Sequence, residues 1–476
     1  MSIEKQMKSR EKLLFAWGDV FGGGAQALIG VLYLIFLTDV IGIAPALAAG
    51  AIMISKIWDA VSDPLMGIIS DNTRTPIGRR RPYILVGGFL VGVIFSLMWL
   101  PIGSWDSDIL KAVYSLTVYM LYSTISTVIA VPYSSLSAEI TTNIKERNTV
   151  NVMRLAVSTF SVAICTLIPA FILDSLKAGQ ITVNTFYLMV GIGFGLFFAL
   201  PLVLIGFFTR ERVVLPRKKS IFHLSTFVSP LRVRAFRGLI GMYLSQSISM
   251  DILAAGIVYY SIYVAQGSTT IFLGIFVGVQ LLMFPLIHHL VNVVDKRTIF
   301  SFGLPLAIAA FIGVGAYPSG MPVLGAYILT AFTALGFAGA QLMSWIIFPD
   351  AVDAGELQLV DRATGSFSGI MTFTRKTSSA VAIFIFGLML SLSGYIRPTP
   401  EVQIPIQPSS AILGIRIAMA GSFTILMTLG FIAARRFVLT NKRSEQIRKF
   451  LKLRTEGTPL NQELQAEYDQ LVKEIF

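Results

Sequence analysis

Cysteine and histidine are nearly absent from this chain of 476 residues, which has one cysteine and three histidines. A single thiol cannot form a disulfide within the chain, so a fold held together by disulfide bonds is excluded. Cys165 lies within an apolar run, where we expect a packed core residue. No cysteine or acidic residue stands at metal-ligand spacing around His223, His288 and His289, so we expect neither a metal centre nor a cofactor.

Charged residues are also scarce, at 13% of the chain against 54% hydrophobic residues, and the mean hydropathy is +0.73. This composition lies outside the range of soluble globular proteins and indicates a multi-pass membrane protein. The location expected is the cell membrane, which is the inner membrane if the organism is bacterial. The first hydrophobic segment is too long for a signal peptide and lacks a cleavage site of small residues, so we expect it to remain as a span.

The basic residues, which give a net charge of +12, are distributed unevenly along the chain. Most of them lie before the first hydrophobic run, in every second loop and in the C-terminal tail. The other loops contain only Lys111, Lys177 and Arg397. Cytoplasmic loops of membrane proteins carry the excess of lysine and arginine, so both termini are expected in the cytoplasm. The same distribution argues against nucleic acid as a partner.

Twelve hydrophobic runs are long enough to cross a membrane as helices. A basic linker over residues 209–235 separates six runs from six, so the sequence predicts an all-α polytopic membrane protein with two six-helix bundles, residues 1–208 and 236–435. The tail, residues 436–476, alternates charged with apolar residues and is expected to form a helix on the inner membrane face. The runs cover residues 13–37, 41–70, 82–102, 109–138, 150–174, 183–208, 236–265, 268–293, 298–317, 321–349, 364–394 and 411–435.

The second run contains two carboxylates, Asp59 and Asp63, one helical turn apart, with Ser62 on the same side. Each charged side chain at mid-bilayer costs roughly 2.5–3.5 kcal/mol, so the two acids need a compensating cation, proton or basic side chain. Three converging oxygen-bearing side chains favour a small hard cation. The alternative is that the acids brace neighbouring helices.

A charged turn follows the second run and contains Asp71, Arg74 and Arg79. A shorter acidic and basic turn, residues 294–297, follows the eighth run at the matching position. Paired halves of this kind are typical of transporters in which one bundle rocks against the other, and the first turn is then expected to act as a cytoplasmic gate. A cytoplasmic loop that is basic only because such loops carry the excess of lysine and arginine explains these arginines almost as well.

Three motifs resemble those of the glycoside-pentoside-hexuronide cation symporters, a family of the major facilitator superfamily. They are Trp58 to Gly67 in the second run, Val131-Pro132-Tyr133 in the fourth, and Asp350 to Glu356 after the tenth. The resemblance covers residues 12–435 and implies the major facilitator fold and cation-coupled transport by alternating access. The further gate residues that it implies are Asp350, Asp353, Glu356 and Arg362.

Carried over position by position, the family's cation site matches Asp59, Ser62, Asp63 and Thr127. Lys376 matches a lysine that compensates the acidic pair when no ion is bound, which implies a coupling residue close to the solute. A typical member of the family has an amide-bearing residue at the place of Ser62, a position that bears on ion choice. The resemblance implies Na⁺ as the coupling cation, and because Ser62 departs from the family pattern, H⁺ and Li⁺ stay open as alternatives.

The solute site departs from the family pattern. The two sugar-binding aspartates of a typical member fall here on Gly23 and Ala130, and a tryptophan of its sugar pocket falls on Ser134. Arg154 matches a pocket arginine, and Asp19, one turn before Gly23, is expected to take over part of the sugar contact. Glycines around Gly23 are equally expected where helices pack closely.

The function that follows is secondary active transport, the cation-coupled symport of a sugar, glycoside or sugar acid by a monomer surrounded by membrane lipid. The alternative is a different amphiphilic or anionic solute such as a lysophospholipid, because Arg154, Arg375 and Lys376 can hold an anionic head group. An enzyme is not expected, since the sequence contains no nucleophile beside a base, no metal triad and no cofactor fingerprint. A signalling scaffold leaves the intramembrane acids unexplained.

Overall fold

The computed structural model describes residues 7–141, 143–212, 228–291, 293–359, 364–399, 402–456 and 461–475. Over these ranges the chain is helical, and its one β-bridge joins Thr75 to Gly78 inside a turn. The prediction of an all-α protein is therefore confirmed for the described residues. In chain order the longer helices are α1 (Ser9–Val40), α2 (Pro45–Asn72), α3 (Arg81–Met98), α4 (Asp108–Glu139), α5 (Ile144–Lys177), α6 (Val183–Phe208), α7 (Arg234–Val264), α8 (Thr269–Leu290), α9 (Lys296–Ala316), α10 (Leu324–Leu359), α11 (Thr364–Leu392), α12 (Ser409–Arg435), α13 (Asn441–Thr455) and α14 (Gln462–Ile475).

Eleven of the helices in the described ranges are long and apolar enough to cross a membrane, and each coincides with a predicted hydrophobic run. α2 is the remaining predicted span. Its 28 residues give a length of about 42 Å, which is sufficient, but Lys56, Asp59 and Asp63 make it more polar than the others. The count of twelve spans therefore stays a prediction that rests on α2.

Four of the described helices contain a π-helical turn, and the four turns form two matching pairs. α1 ends in the turn Phe36–Val40, and α7 ends in the turn Tyr260–Val264. α6 has such a turn at Tyr187–Gly193, and α12 has one at Ile417–Gly421. Since α1 and α7 are the first helices of the two predicted sets of six, and α6 and α12 the last, the π-helical turns repeat in corresponding helices of the two sets.

The helices group into two compact units whose boundaries differ from those of the predicted bundles. The first unit contains Met1–Phe222, Ala254–Leu273 and Ile383–Ile415. The second unit contains His223–Leu253, Gly274–Ala382 and Arg416–Phe476. The first unit therefore includes one end of each of α7, α8, α11 and α12. The boundaries expected at residues 208 and 236 stay predictions.

Aromatic side chains form much of the core of the first unit. The rings of Phe36 and Trp99 lie 4.9 Å apart between centroids, and the rings of Phe36 and Phe186 lie 5.9 Å apart. All three side chains are fully buried. This packing holds α1 against the chain after α3 and against α6, and it thereby fixes where the polar residues of α1 lie.

The tail forms two helices, α13 and α14, which pack on each other. The rings of Phe450 and Tyr468 lie 5.3 Å apart between centroids. Lys449 Nζ lies 2.8 Å from Glu467 Oε2, and this hydrogen bond lowers the pKa of the Glu467 carboxyl. Leu471 is buried, so the helix pair has its own apolar contact. The expected position on the inner membrane face stays a prediction.

Candidate cation and solute sites

The candidate cation site lies between α2 and α4. Trp58 Nε1 donates to Thr124 Oγ1 at 2.9 Å, and Ser55 Oγ donates to the carbonyl of Leu116 at 3.4 Å. Ser55 is fully buried at this contact. These two hydrogen bonds fix the register between the helices on the side of the site that precedes Asp59.

Four oxygen-bearing side chains meet at the next turn of this helix pair. Thr127 Oγ1 lies 2.9 Å from Asp59 Oδ1 and 2.9 Å from Asp63 Oδ1. Ser62 Oγ lies 3.1 Å from Thr127 Oγ1 and 3.1 Å from the backbone carbonyl oxygen of Asp59. Thr127 is buried, and the other three are half-buried. The structure thus brings all four predicted cation-site residues together, and their role as ligands stays a prediction.

The hydroxyl of Thr127 has one hydrogen for two carboxylates. It lies within donating distance of both Asp59 and Asp63. Two carboxylates that converge on one hydroxyl bring two negative charges together, and a positive charge beside them lowers their repulsion. The arrangement therefore suits a proton or a small cation placed among these oxygens.

A proline follows the site residues in each of the two helices, Pro64 in α2 and Pro132 in α4. Proline has no N–H, so the carbonyl four residues earlier receives no helical hydrogen bond from it. Those carbonyls belong to Ala60 and Val128, and each directly follows a residue of the oxygen cluster. Backbone carbonyls released from a helix in this way coordinate Na⁺ in other transporters. Two carbonyl oxygens thus lie next in the chain to the candidate ligands.

Lys376, the predicted coupling residue, lies in α11 and is half-buried. It belongs to the second unit, whereas Asp59 and Asp63 belong to the first. The compensation of the two acids by this lysine stays a prediction.

On the solute side, Asp19 and Arg154 form an ion pair that joins α1 to α5. Arg154 Nε lies 2.6 Å from Asp19 Oδ2. Tyr133 Oη donates to the carbonyl of Phe15 at 2.6 Å and lies 3.1 Å from the same Asp19 oxygen. The Arg154 guanidinium lies 4.5 Å from the centroid of the Tyr133 ring. Two predicted solute residues therefore contact each other, and Tyr133 is a third member that the sequence marked only as part of a motif.

The three positions that depart from the family pattern are Gly23, Ala130 and Ser134. A Cβ atom at Gly23 would lie 2.5 Å from Ser158 Oγ and 3.1 Å from its carbonyl, so a larger residue requires α1 and α5 to separate. Close helix packing therefore explains Gly23 without a solute. Ala130 and Ser134 are exposed and lie one turn apart on α4. Solute binding at these three positions stays a prediction.

A second ion pair, which sequence reasoning missed, joins α7 to α11 within the second unit. Arg375 donates through Nη1 to Asp251 Oδ2 at 2.5 Å and through Nη2 to Asp251 Oδ1 at 2.8 Å. Tyr243 lies close enough to the same guanidinium to interact with it electrostatically. An acid within an apolar run is the signal that singles out Asp59, and the same signal marks Asp251.

The charged turn before α3 is organised around Arg80, which was not among the predicted gate residues. Arg80 is 3% exposed and pairs with both Asp71 and Glu139. Arg79 pairs with Glu139 as well. Arg74 donates to two backbone carbonyls of its own turn. Asp71 and Arg79 thus belong to one ion-pair cluster whose central residues are Arg80 and Glu139.

The acids after the tenth run form a cluster within the second unit. Asp350 lies 2.6 Å from Lys296 Nζ and 2.6 Å from Arg448 Nη2, where Arg448 belongs to α13. Asp353 lies 3.8 Å from Arg448 Nε. Glu356 follows on the same helix and accepts a hydrogen bond from Arg454 through its carbonyl. Arg362 lies outside the described residues.

Asp39 is the centre of a buried cluster in the first unit, and sequence reasoning did not assign it a role. Its carboxylate accepts hydrogen bonds from Lys177 at 2.9 Å, Tyr263 at 2.5 Å, Tyr395 at 2.7 Å and Thr38 at 2.9 Å. The Asp39 side chain has no exposed surface. One buried carboxylate therefore links α1, α5 and α7 to the turn that follows α11.

Residues 14–441 match the family described as MFS/sugar transport protein. An uncharacterized symporter of Synechocystis sp. is 30% identical over 96% of this chain and 99% of its own. A glucuronide carrier protein homolog of Escherichia coli is 27% identical over 94% of this chain and 96% of its own. The sodium-dependent lysophosphatidylcholine symporter 1-A of Danio rerio is 24% identical over 95% of this chain and 91% of its own.

Among solved structures, the inward open conformation of the xylose transporter XylE from Escherichia coli matches with a TM-score of 0.62 at 12% identity, over 92% of this chain and 98% of the other. This likeness confirms the major facilitator fold. Family and structural neighbours alike are transporters, so the protein is a multi-pass membrane transporter rather than an enzyme. The chain therefore belongs to the MFS/sugar transport protein family, as its glycoside-pentoside-hexuronide symporter motifs indicate.

Proposed function

We propose that the protein is a cation-coupled symporter that carries a sugar, glycoside or sugar acid by alternating access. The observation that carries this proposal is the position of Thr127, whose single hydroxyl lies 2.9 Å from a carboxylate oxygen of Asp59 and 2.9 Å from one of Asp63. Two acids that converge on one hydroxyl within a membrane-spanning helix pair favour a bound cation that offsets their charge.

Sodium is the cation that this oxygen set favours. Two carboxylates, two hydroxyls and the carbonyls of Ala60 and Val128 are hard oxygen donors, and none is a nitrogen or sulfur ligand. The sodium-dependent relative from Danio rerio supports the same ion. A proton would neutralise one of the acids but use fewer of these oxygens. Lithium, being a smaller hard cation, would use the same donors.

Lys376 completes the proposed coupling. The two acids carry two negative charges, and the lysine ammonium and the bound ion compensate one each. When the ion leaves, the lysine is drawn toward the acids and away from the solute. Ion and solute then raise each other's affinity by the same factor, and a factor of about 10 corresponds to roughly 1.4 kcal/mol.

The ion pair of Asp19 and Arg154 supports a hydroxyl-rich solute. It presents a carboxylate acceptor and guanidinium donors side by side, and 15% and 17% of the two side chains remain exposed. Sugar hydroxyls both donate and accept, so they match such a pair without charge. The glucuronide carrier homolog supports a sugar as well.

A lysophospholipid is the second candidate cargo, since one relative is named for it. Its head-group phosphate would have to compete with Asp19 for Arg154, which leaves a half-buried acid without its partner. The sugar is therefore the first proposal.

The proposed orientation has both termini in the cytoplasm. The ion-pair clusters around Arg80 and Asp350 then lie on the cytoplasmic side. Asp39 lies at the opposite end of α1, toward the outer side.

Uptake into liposomes tests the proposal. The purified protein is reconstituted, an inward Na⁺ gradient is imposed, and uptake of labelled neutral glycosides, sugar acids and lysophosphatidylcholine is compared with uptake under an inward K⁺ gradient. We expect Na⁺ to stimulate uptake of a sugar, and Asp59→Asn to abolish this stimulation while Asp108→Asn, at the start of α4, retains it. Sodium-stimulated uptake that persists in Asp59→Asn would refute the assignment of the ion site, and uptake confined to the lysophospholipid would refute the sugar.

A further inference from the structure

Asp251 and Arg375 form a doubly hydrogen-bonded ion pair within membrane-spanning helices, where charge is rare. Asp251 lies inside α7, and Arg375 lies about three turns into α11. The two N–H···O contacts of 2.5 and 2.8 Å give the parallel fork that guanidinium and carboxylate groups prefer. Tyr243, earlier on α7, interacts electrostatically with the same guanidinium. The pair is thus an ordered polar group that faces either the interior of the second unit or a water-filled cavity.

The ion pair is not sealed from its surroundings. Of the side chains, 29% of Arg375 and 16% of Asp251 remain exposed. Charged side chains of spanning helices face the bundle interior or a water-filled cavity rather than lipid. The exposed part of this pair therefore borders an aqueous path and is open to a dissolved molecule.

The first unit contains a matching ion pair, that of Arg154 with Asp19. Arg154 also lies about three turns into its helix, α5, and its partner lies on α1. Since α5 and α11 are the fifth helices of the two sets and α1 and α7 the first, both pairs join the same two helices of the repeat. Each arginine also contacts a tyrosine, Tyr133 or Tyr243. In transporters built from repeats, solute sites form from corresponding elements of the two halves.

We propose that Asp251 and Arg375 bind the transported solute and that the group they recognise is a vicinal diol of a sugar ring. This inference rests on the proposed function and names the chemistry of its solute site. One hydroxyl donates to the Asp251 carboxylate, and its neighbour accepts from the Arg375 guanidinium. The pair keeps its own contact while it binds, so no net charge on the solute is needed.

An anionic group is a poor match for the same pair. A carboxylate or sulfonate would have to displace Asp251 from the guanidinium, and the displaced, half-buried acid would lose its partner. The Asp251 and Arg375 pair therefore selects the neutral, hydroxyl-bearing part of a solute. This conclusion differs from the expectation that Arg375 holds an anionic head group.

Exchanging the two charges tests whether Asp251 and Arg375 bind the solute or only hold α7 against α11. Two double variants are made, Asp251→Arg with Arg375→Asp, and the neutral pair Asp251→Asn with Arg375→Gln. The matched control exchanges Asp108 and Arg397, an ion pair whose side chains are 38% and 39% exposed. The probes are the methyl glycosides of xylose, glucose and galactose and their 2-deoxy analogues where these exist. The readout is the thermal shift of the purified full-length protein with each probe, and the sodium-induced shift is measured alongside.

We expect both double variants to keep the sodium-induced shift and to bind the best methyl glycoside at least tenfold more weakly, while the control variant binds it normally. We also expect removal of one hydroxyl from that glycoside to weaken binding to the unaltered protein tenfold. Normal glycoside binding by the neutral pair would show that Asp251 and Arg375 only brace α7 against α11. If sodium shifts the unaltered protein but no methyl glycoside does, the diol assignment is wrong while the ion site stands. If sodium fails too, the proposed function is wrong, and this inference fails with it.

Discussion

Asp39 and Tyr263 occupy the same place in equivalent π-helical turns, the fourth residue of Phe36–Val40 and of Tyr260–Val264, and they hydrogen-bond to each other at 2.5 Å. π-Helical turns are rare and occur frequently at functional sites. The extra residue in each turn aims these side chains at one another. Two helices that correspond in the repeat are thus joined through corresponding residues.

Replacing Asp39 with Asn is expected to destabilise the protein by about 3 kcal/mol or more, because Lys177 is then left as a buried charge without its partner. Tyr263→Phe removes one hydrogen bond and is expected to cost about 1–2 kcal/mol. Thermal unfolding in detergent measures both. Asp108→Asn is the control, since its ion pair with Arg397 is more than a third exposed and contributes less than about 1 kcal/mol. Equal melting temperatures for Asp39→Asn and Asp108→Asn would show that the buried cluster contributes little.

Thr127→Val should lower the affinity for Na⁺ roughly ten- to a hundredfold, because hydrogen bonds to charged groups contribute about 1.5–3 kcal/mol. Valine keeps the shape of threonine and removes the hydroxyl between the two acids. Sodium titration followed by thermal shift gives the affinity. Thr117→Val, an exposed position on the same helix, is the control and should bind Na⁺ normally. An unchanged affinity in Thr127→Val would remove Thr127 from the site.

Pro64→Ala restores a backbone N–H that can bond to the carbonyl of Ala60. If that carbonyl is a ligand, the variant should bind Na⁺ about fivefold more weakly, since a hydrogen bond of about 1 kcal/mol now competes for the oxygen. Pro169→Ala makes the same change inside α5, away from the oxygen cluster, and should leave ion binding unchanged. Comparable Na⁺ affinities in the two variants would mean that the Ala60 carbonyl takes no part.

The contact between α13 and α14 should weaken at acidic pH. The hydrogen bond from Lys449 lowers the pKa of Glu467 in the folded protein below its value in the unfolded chain. This contribution is therefore present above the unfolded pKa, roughly 4.3, and is lost as the pH falls through the folded pKa. Hydrogen exchange of residues 441–475 at pH 7 and at about pH 3 measures the change. In Glu467→Gln the pH dependence from this group should disappear, and its persistence there would assign it to another group.

The positions of the spans could be predicted because a membrane-crossing helix requires a long apolar run, and each run is visible in the sequence. The spacing of Asp59 and Asp63 likewise predicts that they share a helix face. Their meeting with Thr127 came from the family resemblance, since the pattern of one helix does not say which helix packs against it.

The remaining polar contacts depend on geometry that the sequence does not express. Arg79 and Arg80 are neighbours of the same type, and the shape of the turn decides that Arg80 is the buried one. From the sequence, Asp39 is a polar residue at the end of a helix, where an exposed side chain is expected. The π-helical turn places its side chain in the interior instead. Asp251, in contrast, could have been found, because an acid inside an apolar run is costly wherever it occurs.

The measurement that tests the account most directly is the binding of Na⁺ to the purified protein without solute, followed by calorimetry for the unaltered chain, Asp59→Asn and Asp63→Asn. The account predicts saturable Na⁺ binding to the unaltered protein, little or none to either variant at the same concentrations, and unchanged folding of both variants by circular dichroism. Sodium binding of normal affinity in Asp59→Asn and Asp63→Asn would contradict it.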